Sequence, residues 1–283
     1  MMRARLLVSA SLAALAVAAT TAVAATPPTV LVIGDSVATG MFWHDEAIAV
    51  MQKKLGVYWD VAVCRTIDGT SCPFDGERAP TLLQVVAARG IVPPTVVVEV
   101  GYNDPTGMFA AEVDRAMSAL IAAGAKHVLW LTMRESRDPY PTLNALLAKA
   151  AARWPQLVLV DWNAASESHP SWFQTDDVHL TPEGGVAMAH LTHAAVMQIV
   201  DPLRVRTTPL RLQAARSYVM RLHAQGGTPP YRWRVAGGRP PHGFHLLANG
   251  TLITATAPGA QATVMVSVSD ADGTTANLQI LEG

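Results

Sequence analysis

TVLVIGDSVA, residues 29–38, is the stretch on which the reading of the fold turns. Val30 to Ile33 is continuously apolar, which suits a parallel strand covered on both faces. The run then breaks at Gly34-Asp35-Ser36, a strand-to-helix turn that carries a reactive side chain. Thr95–Val100 and Leu157–Val160 have the same texture, and Trp59–Val63 and His127–Leu131 complete five strand candidates. Helix candidates lie between them, near 45–55, 80–90, 107–123, 140–153 and 181–199. Phe109, Val113, Met117 and Leu120 recur at three and four residues and make one buried stripe. Gly56 and Gly124 stand where C-terminal glycines belong, and Thr106 and Thr181 where N-caps belong. This β-α alternation from 29 to about 200 predicts a doubly wound α/β sheet with right-handed crossovers.

Outward from this region the texture changes at both ends. Met1 to Arg5 carries Arg3 and Arg5, Leu6 to Ala19 is apolar apart from Ser9 and Ser11, and Ala22-Val23-Ala24 offers small residues at a cleavage site. That is the three-part form of a secretory signal peptide over residues 1–25; the alternative is an uncleaved anchor helix. Export predicts a secreted or cell-envelope protein of bacterial type, with no membrane span once the signal is removed. After Asp201-Pro202, turn signals such as Gly226-Gly227, Asn249-Gly250 and Asp272-Gly273 punctuate four short strand candidates: Tyr231–Val235, Thr251–Thr254, Thr263–Val268 and Ala276–Leu281. That spacing predicts a small antiparallel sandwich over 204–283, attached to a catalytic unit over 26–203.

Composition excludes several classes. Of 283 residues, 50% are hydrophobic and 15% charged, too apolar for a disordered chain. The net charge of -1 gives no global basic field for nucleic acid. Two cysteines make neither a disulfide scaffold nor a four-cysteine zinc site, and no metal or cofactor is expected. In an exported chain Cys64 and Cys72 pair plausibly, closing a short loop worth roughly 2–3 kcal/mol, with two buried thiols as the alternative. Residues 26–203 hold 11 Lys+Arg against 19 Asp+Glu, whereas residues 204–283 hold 8 Arg against 3 acids. The basic end is either a solvated face or a site for an anionic cell-wall polymer.

In open α/β sheets, ligands bind beyond the carboxyl ends of the strands. Gly34-Asp35-Ser36 follows the first strand, Gly101-Tyr102-Asn103-Asp104 the third, and a loop ending in Asp176-Asp177-Val178-His179 the fifth. Ser36 is the candidate nucleophile, His179 its base, and Asp176 the carboxylate that orients the imidazole. Taken singly, Ser36 also reads as a helix N-cap and Asp176 as a cap of the last helix. Ser36 N–H, the Asn103 amide and the Gly69 N–H are candidate oxyanion donors. Asp177 has the wrong offset for the orienting role, and Asp161 reads as structural. Asp35 reads as buried and hydrogen-bonded to the neighbouring loops. His190 and His193 make a poor metal set, and His44, His127 and His169 have no partners.

These blocks, Gly34-Asp35-Ser36, Gly69, Gly101-x-Asn103-Asp104 and Asp176-x-x-His179, resemble the SGNH/GDSL hydrolase superfamily over residues 29–200. The resemblance implies a three-layer α/β/α fold with a mainly parallel five-stranded sheet, and ester hydrolysis through a serine acyl-enzyme without a metal. It implies the roles just given for Ser36, His179, Asp176, Gly69 and Asn103. Gly-Asp-Ser-Val-Ala with a cysteine-flanked second block is similar to a bacterial branch whose relatives are fused to membrane acyltransferases. Gly226-Gly227-Thr228-Pro229-Pro230-Tyr231 and Asn249-Gly250-Thr251-Leu252 resemble immunoglobulin-like domains of bacterial surface proteins, which supply fold and not activity. The expected function is cleavage of a small acyl ester, with a carbohydrate O-acetyl group among the substrates. The alternatives are acyl transfer to a sugar hydroxyl by the same acyl-serine, or a non-catalytic cell-surface binding protein.

Overall fold

The computed structural model describes residues 27–206, 210–213, 216–255 and 262–282. The expected signal peptide lies outside them. In the first part, β1 (Thr29–Gly34) leads through α1 (Thr39–Phe42) and α2 (Asp45–Gln52) to β2 (Gly56–Val61). A two-residue-strand hairpin, β3 (Pro73–Phe74) and β4 (Glu77–Arg78), precedes α3 (Leu82–Arg89). Then come β5 (Thr95–Glu99), α4 (Thr106–Ala122), β6 (His127–Leu131), α5 (Tyr140–Arg153), β7 (Leu157–Val160), α6 (Trp162–Ser166) and α7 (Pro182–Val200). The sheet order is β2-β1-β5-β6-β7, and every pairing is parallel.

Two of the three continuous apolar runs are interior strands; the third, Leu157–Val160, is the edge strand β7, where Val158 is exposed, so the expectation of cover on both faces fails there. Val30 to Ile33 and Val96 to Val98 are fully buried, because helices cover both faces of the sheet. Trp130, Phe109, Met117 and Leu120 fill the same core. Thr81 caps α3 with a reciprocal Thr81–Gln84 box, and Thr181 Oγ1 accepts from the Gly184 N–H at 3.3 Å. Two boundary expectations fail. Thr106 is the first helical residue behind Pro105 and not a cap. Gly56 opens β2, because the chain already reverses at Lys54, with φ 63°.

The C-terminal part builds its own core around Trp233, Leu252, Val266, Val268 and Ile280. Its strands are β8 (Arg204–Val205), β9 (Leu210–Leu212), β10 (Ser217–Arg221), β11 (Ala224–Gln225), β12 (Arg232–Gly238), β13 (His245–Leu246), β14 (Thr251–Ala255), β15 (Ala262–Ser269) and β16 (Thr275–Glu282). They form a four-stranded sheet β12-β15-β16-β9, a three-stranded sheet β10-β14-β13 and the pair β11-β8. The expectation of a wholly antiparallel arrangement is corrected at β9, which pairs parallel to β16. β9 lies in one sheet and β10 in the other, so the chain enters the larger sheet at its edge, alongside the last strand. Buried Asp270 closes the Asp-Ala-Asp-Gly turn, accepting from the N–H groups of Thr228, Asp272 and Thr274. Lys54 Nζ reaches Gly227 O at 2.9 Å, linking the end of α2 to this part.

Candidate active site

Ser36 sits one residue past the buried Asp35, in the turn between β1 and α1. The turn is tight. A Cβ on Gly34 would lie 2.2 Å from the Ala38 Cβ, and the Asp35 N–H donates to Glu99 O on the next strand at 2.8 Å. The Ala38 N–H donates to the Glu99 carboxylate at 2.9 Å, so β5 fixes the start of α1 from below. The Ser36 N–H makes no hydrogen bond among the described residues. His179 comes from the far end of the sheet. Its loop is closed by the Phe173–Leu180 bridge, by Gln174 N–H to His179 O at 2.7 Å, and by the Gln174 amide to Leu180 O at 3.0 Å.

These two loops bring the three predicted side chains into one line. His179 Nε2 lies 2.9 Å from Ser36 Oγ, and His179 Nδ1 lies 2.5 Å from Asp176 Oδ2. The other Asp176 oxygen accepts the N–H groups of Val178 at 3.0 Å and His179 at 2.9 Å. Partial burial raises the Asp176 pKa, but the His179 ring bond and these two backbone bonds outweigh it and hold it at about 2. Ionised Asp176 is placed to take a hydrogen bond from Nδ1, and Nε2 is the ring nitrogen that faces Ser36.

Behind Ser36 lies a buried acid pair. Burial pushes Asp35 up to about 6, and burial with the adjacent Asp35 charge pushes Glu99 well above the usual carboxylate range. Ionised Asp35 accepts from the Val37 N–H at 2.9 Å and from the Asn103 amide at 3.3 Å. The Asn103 amide also donates to Arg65 O at 3.2 Å. Asp104 anchors the neighbouring loop, accepting the Ile67 N–H at 2.8 Å. The sequence reading missed Glu99; a carboxylate closing the run Thr95-Val96-Val97-Val98 was its signal.

Gly69 is a correction. Its N–H donates to Asp68 Oδ1 at 2.7 Å, and it does not line the cavity at Ser36. Asp68 is ion-paired with Arg115 on α4 at 2.7 Å, which ties the loop tip outward. Val63, earlier in the same loop, lines the cavity instead, and Cys64 after it adopts φ 66° with its N–H unbonded among the described residues. Cys64 and Cys72 form a disulfide. Asp161, His193 and His169 have structural partners. Asp161 caps α6 through the Ala164 N–H, His193 bonds to Lys53 O at 2.9 Å, and His169 stacks on Trp172.

The cavity at Ser36 holds about 290 Å³ and is lined by Thr39, Trp43, Val63, Phe74, His179 and Leu180, among others. Among the described residues, none of the C-terminal part lines it.

No protein-family model matches the chain. It is 34% identical over 96 residues to the O-acetyltransferase OatA of Staphylococcus aureus (strain NCTC 8325 / PS 47), covering 34% of this chain. The match spans only 15% of that relative's length. Among solved structures, it is similar to Est24, a carbohydrate acetylesterase from Sinorhizobium meliloti, at 16% identity and TM-score 0.45, over 60% of this chain and 98% of that one. It is also similar to the M. smegmatis aryl esterase, at 12% identity and TM-score 0.46, over 61% and 100%. In its own sheet order and in the geometry at Ser36, the α/β part of this chain has the arrangement the sequence resemblance implied: a parallel five-stranded sheet with Ser36, His179 and Asp176 joined in one line.

Proposed function

We propose that this chain is an exported serine acyl-ester enzyme, with residues 26–203 as its catalytic unit and residues 204–283 as an attached β-rich unit. The observation that carries the reading is the unbroken line Asp176–His179–Ser36 opening into a small cavity. Ser36 Oγ attacks the ester carbonyl carbon while His179 Nε2 takes its proton. The carbonyl oxygen becomes an oxyanion, faced by the free Ser36 N–H; the Asn103 amide, whose two hydrogens rest on Asp35 and Arg65 O, joins it by giving up one of those bonds. In place of Gly69, we assign the second backbone donor to Cys64, whose left-handed turn follows cavity-lining Val63 and whose disulfide holds the loop. His179 then gives its proton to the leaving alkoxide, leaving an acyl-serine. Water or a sugar hydroxyl, deprotonated by the same imidazole, attacks that ester and frees Ser36.

Water makes the chain an esterase and a sugar hydroxyl makes it an acyltransferase; the name of the matched Staphylococcus aureus relative favours keeping the second reading. A serine-directed phosphonate tests the common step. Stoichiometric labelling at Ser36, with loss of para-nitrophenyl acetate hydrolysis, is expected. Absence of both in folded protein ends the proposal, and product analysis with acetylated sugars separates hydrolysis from transfer.

A further inference from the structure

A second cavity of about 640 Å³ adjoins the one at Ser36 and shares two of its walls, Trp43 and His44. Asp45, Glu46, Glu183 and Val186 line the rest of it, together with Pro182, and among the described residues neither Lys nor Arg does. Trp43 is 64% exposed and belongs to no ring–ring contact among the described residues, unlike the buried Trp130 and Trp162. An indole left in water contributes little to the fold, so its position is informative.

The position is firmly set. Trp43 ends α1, its N–H bonded to Thr39 O at 2.9 Å. α1 is pressed on α7 at a glycine contact, where a Cβ on Gly185 would lie 2.0 Å from Gly40 O. The two walls of the cavity, residues 43–46 and 182–186, are thus held by backbone against backbone.

The chemistry of the walls selects an occupant. An indole face takes an apolar surface, and carboxylates accept hydrogen bonds from hydroxyl groups. A fatty acyl chain would satisfy Trp43 but cover Asp45 and Glu46 without supplying a donor, and would leave Glu183 only the Trp172 Nε1–H at 3.3 Å. An anionic ligand meets like charge from all three. A neutral sugar ring has an apolar C–H face and a rim of hydroxyl donors, and it fits both. We infer that the Trp43 cavity is a subsite for an uncharged sugar ring of a glycan whose O-acyl group lies at Ser36. This rests on the reading of Ser36 as the acyl-accepting nucleophile, and it names the substrate class that the reading leaves open.

Binding to full-length Ser36→Ala protein tests the subsite apart from turnover. Isothermal titration is run with xylohexaose, cellohexaose and chitohexaose as neutral probes and hexagalacturonate as the anionic one. At least one neutral hexamer is expected to bind, with affinity falling about tenfold or more in Ser36→Ala/Trp43→Ala and less in the Trp43→Phe double variant. The anionic hexamer is expected to bind more weakly at low salt, and Glu46→Gln with Glu183→Gln should narrow that gap, because the repulsion is electrostatic. Tighter binding of the anionic hexamer, no binding of any neutral one, or neutral binding indifferent to Trp43 would overturn the inference. Failure of wild-type protein to cleave para-nitrophenyl acetate would instead count against the function of Ser36 and leave this binding result standing.

Discussion

Asp176→Asn isolates the role of one oxygen atom. In the wild type, Oδ1 accepts two backbone N–H groups and Oδ2 faces His179 Nδ1 at 2.5 Å. An asparagine keeps its carbonyl oxygen on the two N–H groups, because only an acceptor satisfies them. Its NH2 then occupies the Oδ2 position and donates to Nδ1. The imidazole must place its proton on Nε2, so it presents a donor to Ser36 Oγ where a base is required. Asp176 is 42% exposed at its side chain, and both backbone bonds survive, so stability should change little. Loss of the correct tautomer should lower kcat by about 10⁴, equivalent to ~5.5 kcal/mol of transition-state stabilisation. The assay is para-nitrophenyl acetate hydrolysis under saturating substrate, with thermal unfolding run beside it. Because Asp176 is held at about 2, the wild-type enzyme should keep this orientation throughout mildly acidic and neutral pH. An Asp176→Asn protein that folds normally and turns over within tenfold of wild type would refute the reasoning.

Two further outcomes follow from packing and charge. Asp104 is buried and burial pushes it up to about 7, so folding favours its protonated form. Its contribution is greatest below pH 3.8 and is lost as pH rises through about 7, a difference of up to roughly 4 kcal/mol. Urea unfolding of wild type and Asp104→Asn should therefore shift in the variant's favour between pH 4 and pH 8; a constant difference would contradict this. Gly185→Ala drives a methyl group into the Gly40 carbonyl, where backbone cannot yield cheaply. It should cost about 1–3 kcal/mol and lower Tm, and an unchanged Tm would mean that α1 and α7 separate freely.

Much of this was legible before any coordinates. Val30 to Ile33 and Val96 to Val98 read as buried parallel strands because a sheet covered on both faces favours such runs, and both are interior and buried, whereas the like run Leu157–Val160 lies at the edge, a position its sequence does not reveal. The order of Ser36, Asn103 and His179 along the chain was visible because reactive side chains follow strands at one rim. Register and loop direction were not. Gly69 read as a donor because glycine permits close approach, yet the Asp68–Arg115 ion pair across to α4 turns it away. Cys64 is left-handed too, φ 66° against 74° at Gly69, at a residue type that does not advertise it. By residue type Trp43 reads only as a core or cleft-wall indole and His44 as a histidine without partners, since nothing local shows that the Gly40–Gly185 contact presses α7 against their flank. Sequence alone determined the strand-helix rhythm and the chemical inventory of the rim, which depend on local periodicity and residue type. Tertiary structure decided which loop residues and which aromatic face line the cavity, because those depend on ion pairs and close contacts between residues far apart in the chain.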